Sequence, residues 1–285
     1  MPAPETRGAS KAQPEAVEIR RIATWGEYEA CVALQREVWG PAFAECVPAA
    51  ILMVTQRIGG VVAGAFGHDG QLVGFVFGMT GVEHGRLVHW SDMLAVQSGL
   101  RGRGIGRQLK LFQRDAVRAI GVGTMYWTFD PLVARNARLN LVTLGAGVAE
   151  YVTDMYGAVT SSALHQGLGT DRFIVAWQLD DATASTPGTE TPLAQCAGIP
   201  ELNTLPNDRM PAGAPAVRIS IPLHIDRIQK TSLAEAGRWR AETRRAFLWS
   251  FEHGFRVSGY YREEPSETAG YILTPGAPPP STRTR

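Results

Sequence analysis

A short segment rich in glycine and arginine could bind an anion through its backbone. The segment from Gly99 to Arg107 contains four glycines and three arginines, and it follows an apolar run, predicted to be a strand, that ends near Val96. Glycine allows the backbone to adopt positive φ and to approach a ligand closely. A helix is predicted to follow, and the first N–H groups of a helix lack partners within it and carry partial positive charge. A strand, a glycine-rich turn and a helix in this order predict a cradle for an anion, most often a phosphate.

Two interleaved periods predict the helix that follows the loop. Apolar residues recur at spacings of three and four, as one face of a helix requires. These residues are Ile105, Leu109, Phe112, Ala116 and Ile120. Basic residues recur with the same rhythm and are predicted to form the opposite, solvated face. They are Arg103, Arg107, Lys110, Arg114 and Arg118.

Two common phosphate-binding motifs are excluded by the residues in the loop. A P-loop requires Gly-Lys-Ser/Thr, but Gly106 is followed by Arg107. A dinucleotide fingerprint that starts at Gly102 would need a third glycine at position 107. The segment Arg101-Gly102-Arg103-Gly104-Ile105-Gly106 instead fits Arg/Gln-x-x-Gly-x-Gly/Ala, and it resembles the pyrophosphate-binding motif of the GNAT superfamily, the acyl-CoA-dependent N-acetyltransferases. The alternative is a strand-to-helix turn that needs glycine only for packing.

Composition and charge narrow the class of protein. The 285 residues are 45% hydrophobic and 19% charged, which is typical of a globular protein. A net charge of +1 favours neither nucleic acid nor membrane as a partner, and no apolar run approaches the roughly 20 residues that span a bilayer. The cysteines, at positions 31, 46 and 196, lack the spacing of metal ligands. We therefore expect no metal, reduced thiols and a cytoplasmic location.

Periodicity and turn signals predict the order β-α-α-β-β-β-α-β-α-β-β between residues 16 and 180. Thr24 and Glu27 are predicted to form a capping box at the start of the first helix, and the turn 67–70 is predicted to join two apolar strands. This order is that of the GNAT fold. The resemblance therefore implies an α/β (α+β) domain, with a mixed, mostly antiparallel sheet and helices on both faces, of a bacterial branch with a C-terminal extension.

The remaining residues are expected to be organised around this domain. Residues 1–15 are polar, and residues 275–285 are rich in proline, so both are expected to be disordered. Residues 181–214 have no period and the composition of a linker. Residues 215–274 are predicted to form a small β-α-β-β unit, too short to bury much core alone. We expect this unit to pack on the first domain or on a partner subunit.

The resemblance implies where acetyl-CoA, or another acyl-CoA, would bind as co-substrate. Backbone groups of the splayed strand would contact the pantetheine arm and the thioester oxygen; they belong to Met93, Leu94, Ala95 and Val96. The backbone amides of the loop would hold the pyrophosphate; the loop comprises Arg101, Gly102, Arg103, Gly104, Ile105, Gly106 and Arg107. The side chains of Arg101 and Arg103 are candidates for the same contact. Asn136 and Asn140, on the helix near Ala134, are candidates to contact coenzyme A, and capping or solvated roles are the alternatives.

The strand before the loop offers a general base. An amine that attacks a thioester must lose a proton, and Asp92 is the first candidate to take it, with His89 the second. Strict alternation along the strand predicts one face with Trp90, Asp92 and Leu94, and the other with His89, Ser91 and Met93. A carboxylate among apolar residues has a raised pKa, which suits a base. Asp92 could instead cap a backbone group or pair with an arginine.

The sequence leaves the general acid open. In the family a tyrosine frequently protonates the leaving thiolate, but the corresponding position here is Leu141. Tyr151 or Tyr156, on the next predicted strand, or water could take this role; otherwise the protein does not catalyse transfer. His165 and the pair Asp171-Arg172 could line an acceptor pocket or hold a loop.

The leading hypothesis is an acyl-CoA-dependent N-acyltransferase. It would transfer an acetyl group from acetyl-CoA to a primary amine of a small molecule or peptide, by direct attack with general-base assistance. The alternative is a non-catalytic acyl-CoA-binding regulatory module. Nucleic-acid binding through the basic residues between 101 and 118 is a weaker hypothesis, because the net charge of the chain is near zero. The sequence is compatible with a homodimer and does not decide the point.

Overall fold

The computed structural model describes most of the chain. The described residues are 17–157, 167–179, 187–196, 198–263 and 265–276. The predicted leader, the start of the predicted linker and most of the predicted tail lie outside these ranges. Among the described residues, no helix is both long enough and apolar enough to cross a membrane. Cys31, Cys46 and Cys196 are free thiols.

Seven strands form the main sheet. They are β1 (Glu18–Arg21), β2 (Val61–Phe66), β3 (Leu72–Glu83), β4 (Arg86–Val96), β5 (Thr124–Phe129), β6 (Gly147–Val152) and β7 (Arg172–Gln178). Their spatial order is β1-β2-β3-β4-β5-β7-β6. Neighbouring strands are antiparallel except for β4 and β5, which are parallel. The predicted fold class, a mixed and mostly antiparallel sheet, is confirmed.

Helices cover both faces of this sheet. Helices α1 (Trp25–Trp39) and α2 (Ala49–Arg57) lie on one face, and α3 (Ile105–Arg118) lies on the other. Because side chains of a strand alternate between faces, Val62 of β2 belongs to the α1/α2 core, whereas Val61 and Ala63 belong to the α3 core. The predicted capping box of α1 is present. Thr24 accepts a hydrogen bond from the Glu27 N–H at 3.3 Å, and the Glu27 carboxylate accepts one from the Thr24 N–H at 3.3 Å.

Helix α3 buries a wider strip than its apolar period predicted. Ile105 and Leu109 are buried as expected, whereas Ile120 lies beyond the end of the helix and is 44% exposed. Lys110, predicted on the solvated basic face, is only 2% exposed, and Gln113 is fully buried. The prediction for Lys110 was wrong because the sheet covers one more row of side chains than the apolar residues alone mark.

A second sheet lies in the C-terminal part of the chain. Its elements are β8 (Val217–Pro222), α5 (Ile225–Thr231), α6 (Leu233–Glu252), β9 (Phe255–Glu263) and β10 (Thr268–Pro275), and the strand order is β8-β10-β9. The sequence did not predict α5, which is short and has few apolar residues. Ser232 caps α6 as predicted, by accepting a hydrogen bond from the Glu235 N–H at 3.2 Å.

The apolar core is continuous between the two sheets. Phe173 of β7 lies 4.8 Å from Phe247 of α6 and 5.3 Å from Tyr271 of β10, measured between ring centroids. The hydroxyl of Tyr271 donates to the carbonyl of Pro131 at 2.7 Å, and that of Tyr260 donates to the carbonyl of Ala134 at 3.3 Å. The C-terminal unit therefore lies against the first sheet and contacts the turn that follows β5.

The described part of the expected linker is packed against the C-terminal unit. Cys196 and Leu202 are fully buried. The side chain of Asn203 donates to the Ser220 carbonyl at 3.0 Å and accepts from the Ser220 N–H at 2.7 Å. An irregular segment can thus satisfy its polar groups through side chains, and such pairing has no period that a sequence would reveal.

Candidate functional site

The parallel strands β4 and β5 are paired over only part of their length and then diverge. Within the described residues, their register extends only from Val88–Trp90 against Thr124–Tyr126, although both strands continue further. The register between β3 and β4 shifts after Phe77, so Asp92 is the extra residue of a β-bulge. A bulge bends the strand that contains it. The end of β4 therefore diverges from β5 and leaves a split in the sheet.

The bulge also changes which face the later side chains of β4 occupy. His89 and Ser91 point towards α3, as alternation predicted. After the bulge, Met93 packs in the α1/α2 core and Leu94 packs on the α3 side. The predicted grouping of Leu94 with Asp92, and of Met93 with His89, was therefore wrong, because one extra residue inverts the alternation.

The glycine-rich loop has the conformation that an anion cradle needs. Gly102 and Gly104 have φ values of 80° and 83°, which favour glycine, and Gly104 is the N-terminal capping position of α3. The N–H groups of Ile105, Gly106 and Arg107 form the first turn and have no acceptor within the helix. The loop begins where β4 ends, at the open side of the split.

Two arginines lie near this loop. The Nε of Arg101 donates to the carbonyl of Val96 at 3.1 Å, which ties the loop to the last residue of β4. Partial burial lowers the pKa of Arg101, and the positive charge of Arg135 on the helix α4 (Ala134–Ala137) lowers it further. Arg135 in turn lies 3.5 Å from the carboxylate of Asp226 on α5. An anion in the cradle would lie near two guanidinium groups.

The two predicted asparagines lie in different surroundings. After α4 the chain continues as a π-helical segment, Arg138–Thr143. Asn140 in this segment is 4% exposed, and its Oδ1 accepts a hydrogen bond from the indole N–H of Trp127 at 3.0 Å. The Oδ1 of Asn140 is therefore engaged with Trp127, and Asn136, which is half-buried on α4, is the more accessible of the two candidates.

Asp92 lies in the bulge, where part of the residue is exposed to solvent and part is covered by protein. Desolvation by the surrounding protein raises its pKa, and a hydrogen bond with the side chain of Trp90 partly opposes this shift. A carboxylate with a raised pKa is a better proton acceptor than an ordinary one. The structure thus places the first candidate base at the point where the strands separate.

His89 is not in a position to act as a base. It is fully buried, and burial, followed by the nearby Lys110, lowers its pKa to about 3. Its Nδ1 lies 3.0 Å from the hydroxyl of Thr80 and its Nε2 lies 3.0 Å from the amide nitrogen of Gln113. A Cβ at Gly78 would lie 2.3 Å from the same Nε2. The structure therefore contradicts His89 as a catalytic candidate and gives it a packing role.

The two candidate tyrosines lie in different surroundings. Tyr151 donates its hydroxyl to Asp171 and packs 5.1 Å from Phe247, so it belongs to the contact between the two sheets and not to the split. Burial raises its pKa, and the charge of Asp171 adds to this effect. This contradicts Tyr151 as the general acid. Tyr156 follows β6 in a turn, not on a strand as predicted, and is 44% exposed.

Tyr156 is affected by the charge of Asp92. Partial burial raises the pKa of Tyr156, a hydrogen bond at 3.0 Å with the Thr128 hydroxyl opposes the shift, and the negative charge of Asp92 raises it further. The guanidinium of Arg172 lies 5.4 Å from the centre of the Tyr156 ring. The phenol of Tyr156 therefore lies beside β5, where the charge of the Asp92 carboxylate reaches it.

Sequence reasoning missed the ionic cluster that joins the two sheets. Arg240 of α6 lies 2.6 Å from a carboxylate oxygen of Asp130 and donates its Nε to the Leu168 carbonyl at 2.9 Å. Arg244, one turn later, bonds to Asp154 and to the fully buried Asp171. The sequence feature that could have revealed this cluster is the spacing of Arg240 and Arg244, which are four residues apart among the apolar residues of α6 and therefore share a face of the helix.

The pair Asp171-Arg172 therefore holds loops together, which was one of the two predicted roles. Arg172 is buried, donates to the carbonyl of Asp171 at 2.8 Å and lies 3.8 Å from Asp130. His165 lies outside the described residues. Among those residues, no group of three or more His, Cys, Asp or Glu side chains could hold a metal ion.

Three solved structures illustrate the comparisons with known proteins. No family model and no curated protein matches the chain. The ribosomal-protein-S18-alanine N-acetyltransferase from Escherichia coli is 17% identical, with a TM-score of 0.46, and the match covers 59% of this chain and 96% of that one. A GNAT superfamily phosphinothricin acetyltransferase from Sinorhizobium meliloti, in complex with AcCoA, is 16% identical, with a TM-score of 0.46 and coverage of 60% and 92%. An N-acetyltransferase from Staphylococcus aureus Mu50 is 16% identical, with a TM-score of 0.46 and coverage of 58% and 99%.

These proteins are matched over nearly their whole length, whereas more than a third of this chain is left over. The fold itself is decided by the topology. The structure has the fold that the loop resemblance implied: a mostly antiparallel seven-stranded sheet with one split parallel pair, and a glycine-rich loop and a helix that connect the two strands of that pair. The C-terminal part of the chain adds the second sheet, of three strands.

Proposed function

We propose that this protein is an acyl-CoA-dependent N-acyltransferase that transfers an acetyl group from acetyl-CoA to a primary amine. The observation that supports it most is that the split in the sheet and the glycine-rich loop follow each other directly along the chain. The split between β4 and β5 exposes backbone groups at the end of β4, and the chain then passes directly into the cradle at Gly102–Arg107. A pantetheine arm needs the first feature and a pyrophosphate needs the second.

The residues present fit such a co-substrate. Backbone groups of Met93 to Val96 would hold the pantetheine arm and the thioester oxygen. The amides from Arg101 to Arg107 would hold the pyrophosphate, with Arg101 and Arg135 adding positive charge and Asn136 an amide. When bound, acetyl-CoA would supply an electrophilic carbonyl carbon and a thiolate as leaving group.

Asp92 and Tyr156 would handle the protons of the reaction. Asp92 accepts the proton that the attacking amine loses as its nitrogen bonds to the carbonyl carbon. Tyr156 donates its phenolic proton to the sulfur as the carbon–sulfur bond breaks, and water can take this role where Tyr156 is absent. The exposure of both side chains allows an acceptor to reach them.

A non-catalytic acyl-CoA-binding module is the second candidate. The observation in its favour is Leu141, which stands where the family frequently has the tyrosine that acts as acid. In addition, a Cβ at Gly188 would lie 2.5 Å from the Leu141 carbonyl, so the segment around Gly188 runs close over this position. Such a protein would bind acyl-CoA and release no thiol.

Two measurements separate these functions. Calorimetric titration of the purified protein with acetyl-CoA tests binding, and release of free thiol is then followed with a panel of small primary amines and lysine-containing peptides. Amine-dependent release would support the transferase. Binding without release from any amine would favour the module, and the absence of binding to acetyl-CoA or longer acyl-CoAs would overturn both.

A further inference from the structure

A buried lysine lies beneath the point where β4 and β5 separate. The Nζ of Lys110 donates to the hydroxyl of Ser91 at 2.7 Å and lies 4.0 Å from the centre of the Trp127 ring. Ser91 directly follows the last residue of β4 that pairs with β5, and Trp127 directly follows the last paired residue of β5. The amine therefore contacts both strands immediately beyond their last paired residues.

Lys110 is the first member of a chain of hydrogen bonds with a defined direction. Ser91 donates to Gln113 Oε1 at 2.7 Å, and Gln113 Nε2 lies 3.0 Å from His89 Nε2. Because an amide nitrogen can only donate, His89 accepts at Nε2 and carries its proton on Nδ1. That proton is donated to Thr80, which donates to the carbonyl of Gly59 at 2.7 Å.

This chain contains no anion that could balance a charge on Lys110. It ends on a backbone carbonyl, and among the described residues no carboxylate forms an ion pair with the amine. Among the polar groups of the surrounding elements, β4 contributes the neutral His89 and the partly exposed Asp92. The π-helical segment contributes Asn140, which does not titrate and accepts a hydrogen bond from Trp127. Helix α3 contributes Arg114, whose guanidinium lies 5.6 Å from the centre of the Trp177 ring. Burial alone lowers the pKa of Lys110 well below that of an exposed lysine.

The cradle lies close to this amine. Lys110 is five residues after Ile105, the first residue of α3, which corresponds to about 7.5 Å along the helix axis. A pyrophosphate at the start of α3 would bring negative charge to within reach of Lys110 through the protein interior, where screening is weak. An anion at this distance favours the protonated amine.

We propose that Lys110 is the proton-binding member of the cofactor site, neutral in the free protein and protonated when acyl-CoA occupies the cradle. The inference rests on the proposed function, because it needs a polyanionic ligand at the start of α3. Binding of coenzyme A is then coupled to the uptake of one proton. The resulting ammonium lies under the split, on the α3 side of the strand that would hold the thioester.

Proton uptake is measured directly by calorimetry. Coenzyme A is titrated into the protein at pH 8, where its phosphates are fully ionised, in buffers of different ionisation enthalpy. The wild type is expected to take up between half and one proton per coenzyme A bound. Lys110→Met is expected to take up none, and Lys110→Arg none either, since a guanidinium stays charged throughout.

Lys230→Met is the matched control, because Lys230 is exposed on α5. It is expected to behave as the wild type. Equal proton uptake by the wild type and Lys110→Met would overturn the inference while leaving acyl-CoA binding intact. Failure of the wild type and the control to bind coenzyme A would instead overturn the proposed function and this inference with it.

Nuclear magnetic resonance provides a readout that needs no variant of Lys110. The chain has three lysines, at positions 11, 110 and 230, so their side-chain signals can be resolved. The signal of Lys110 should titrate below the other two in the free protein and shift towards the protonated form on saturation with coenzyme A. A protonated Lys110 at pH 8 in the free protein would contradict the inference.

Discussion

The phenol of Tyr156, which lies 3.0 Å from the hydroxyl of Thr128 on β5, has its pKa raised first by partial burial and then by the negative charge of Asp92 in the bulge of β4. Like any tyrosine with a pKa of about 10 or above, it is protonated at neutral pH and has a proton to donate. Asp92 has its own pKa raised by desolvation, so it accepts a proton more readily than an ordinary aspartate. A base and an acid with separated roles are what acyl transfer to an amine requires.

Replacing Asp92 should remove the proposed base without affecting binding of the cofactor. We expect Asp92→Asn to lower kcat by about 10²–10⁴-fold, with an unchanged Kd for acetyl-CoA by calorimetry. A general base works in its deprotonated form, so wild-type kcat/KM should rise as the pH rises through the pKa of Asp92. Because this pKa is raised, the rise should occur above the pKa of an ordinary aspartate, which is about 4. This rise should disappear in Asp92→Asn. A variant with wild-type kcat would contradict the role.

Tyr156 and Tyr151 should respond differently to the same substitution. Tyr156→Phe removes the proposed acid, and kcat is expected to fall by about 10–100-fold, as for loss of a general acid that water partly replaces. Tyr151→Phe deletes only the hydroxyl that donates a hydrogen bond to Asp171. It should cost stability, on the order of 1–3 kcal/mol, with little change in kcat. Steady-state kinetics and urea unfolding of both variants test this, and equal losses of kcat would argue against Tyr156.

A negative charge at the cradle should abolish cofactor binding. Position 104 has positive φ and open space where a Cβ would project, so a side chain fits there with strain of about 1 kcal/mol. We expect Gly104→Glu to reduce affinity for coenzyme A by at least about 100-fold, because its carboxylate would compete for the helix N-terminus.

Gly104→Gln is the control for this substitution, since it has the same strain and nearly the same size without the charge. It should lose less affinity than Gly104→Glu in calorimetric titrations at low salt. Full affinity in Gly104→Glu would mean that the loop is only a turn.

Arg240 should be required for the stability of the first domain, although it lies in the C-terminal unit. Arg240→Leu leaves Asp130 buried without its closest cation, and loss of one partner of a buried pair costs about 3–5 kcal/mol. Arg238→Leu on the same helix is exposed and should change the free energy of unfolding by less than about 0.5 kcal/mol. Urea unfolding measures both, and similar effects of the two substitutions would show that the cluster contributes little.

Local chemistry was predictable from the sequence. The capping box of Thr24, the positive φ of Gly104 and the order of strands and helices depend on residues within a few positions of each other. For the same reason Asp92, at the end of a strand and before the loop, was predicted as a base candidate and is found at the split.

Features that depend on distant segments were not predictable. His89 lies on the predicted face, but only the packing of α3 shows that this face is closed to solvent. The bulge at Asp92 inverts the positions of Met93 and Leu94, and nothing in the sequence marks the extra residue. Arg240 pairs with Asp130, which lies 110 residues earlier in the sequence.

The sequence by itself predicted the order of strands and helices and the glycine-rich turn, because glycine conformations, helix caps and apolar periods act over short distances, and its resemblance to the GNAT family implied the candidate co-substrate. The tertiary structure alone decided which charged groups are buried and which reach solvent. Lys110 shows the reason. Its place in the basic period is the same as that of Arg107 or Arg114, but the cost of desolvating a charge depends on what other segments cover it, and here β4 and β5 cover it completely.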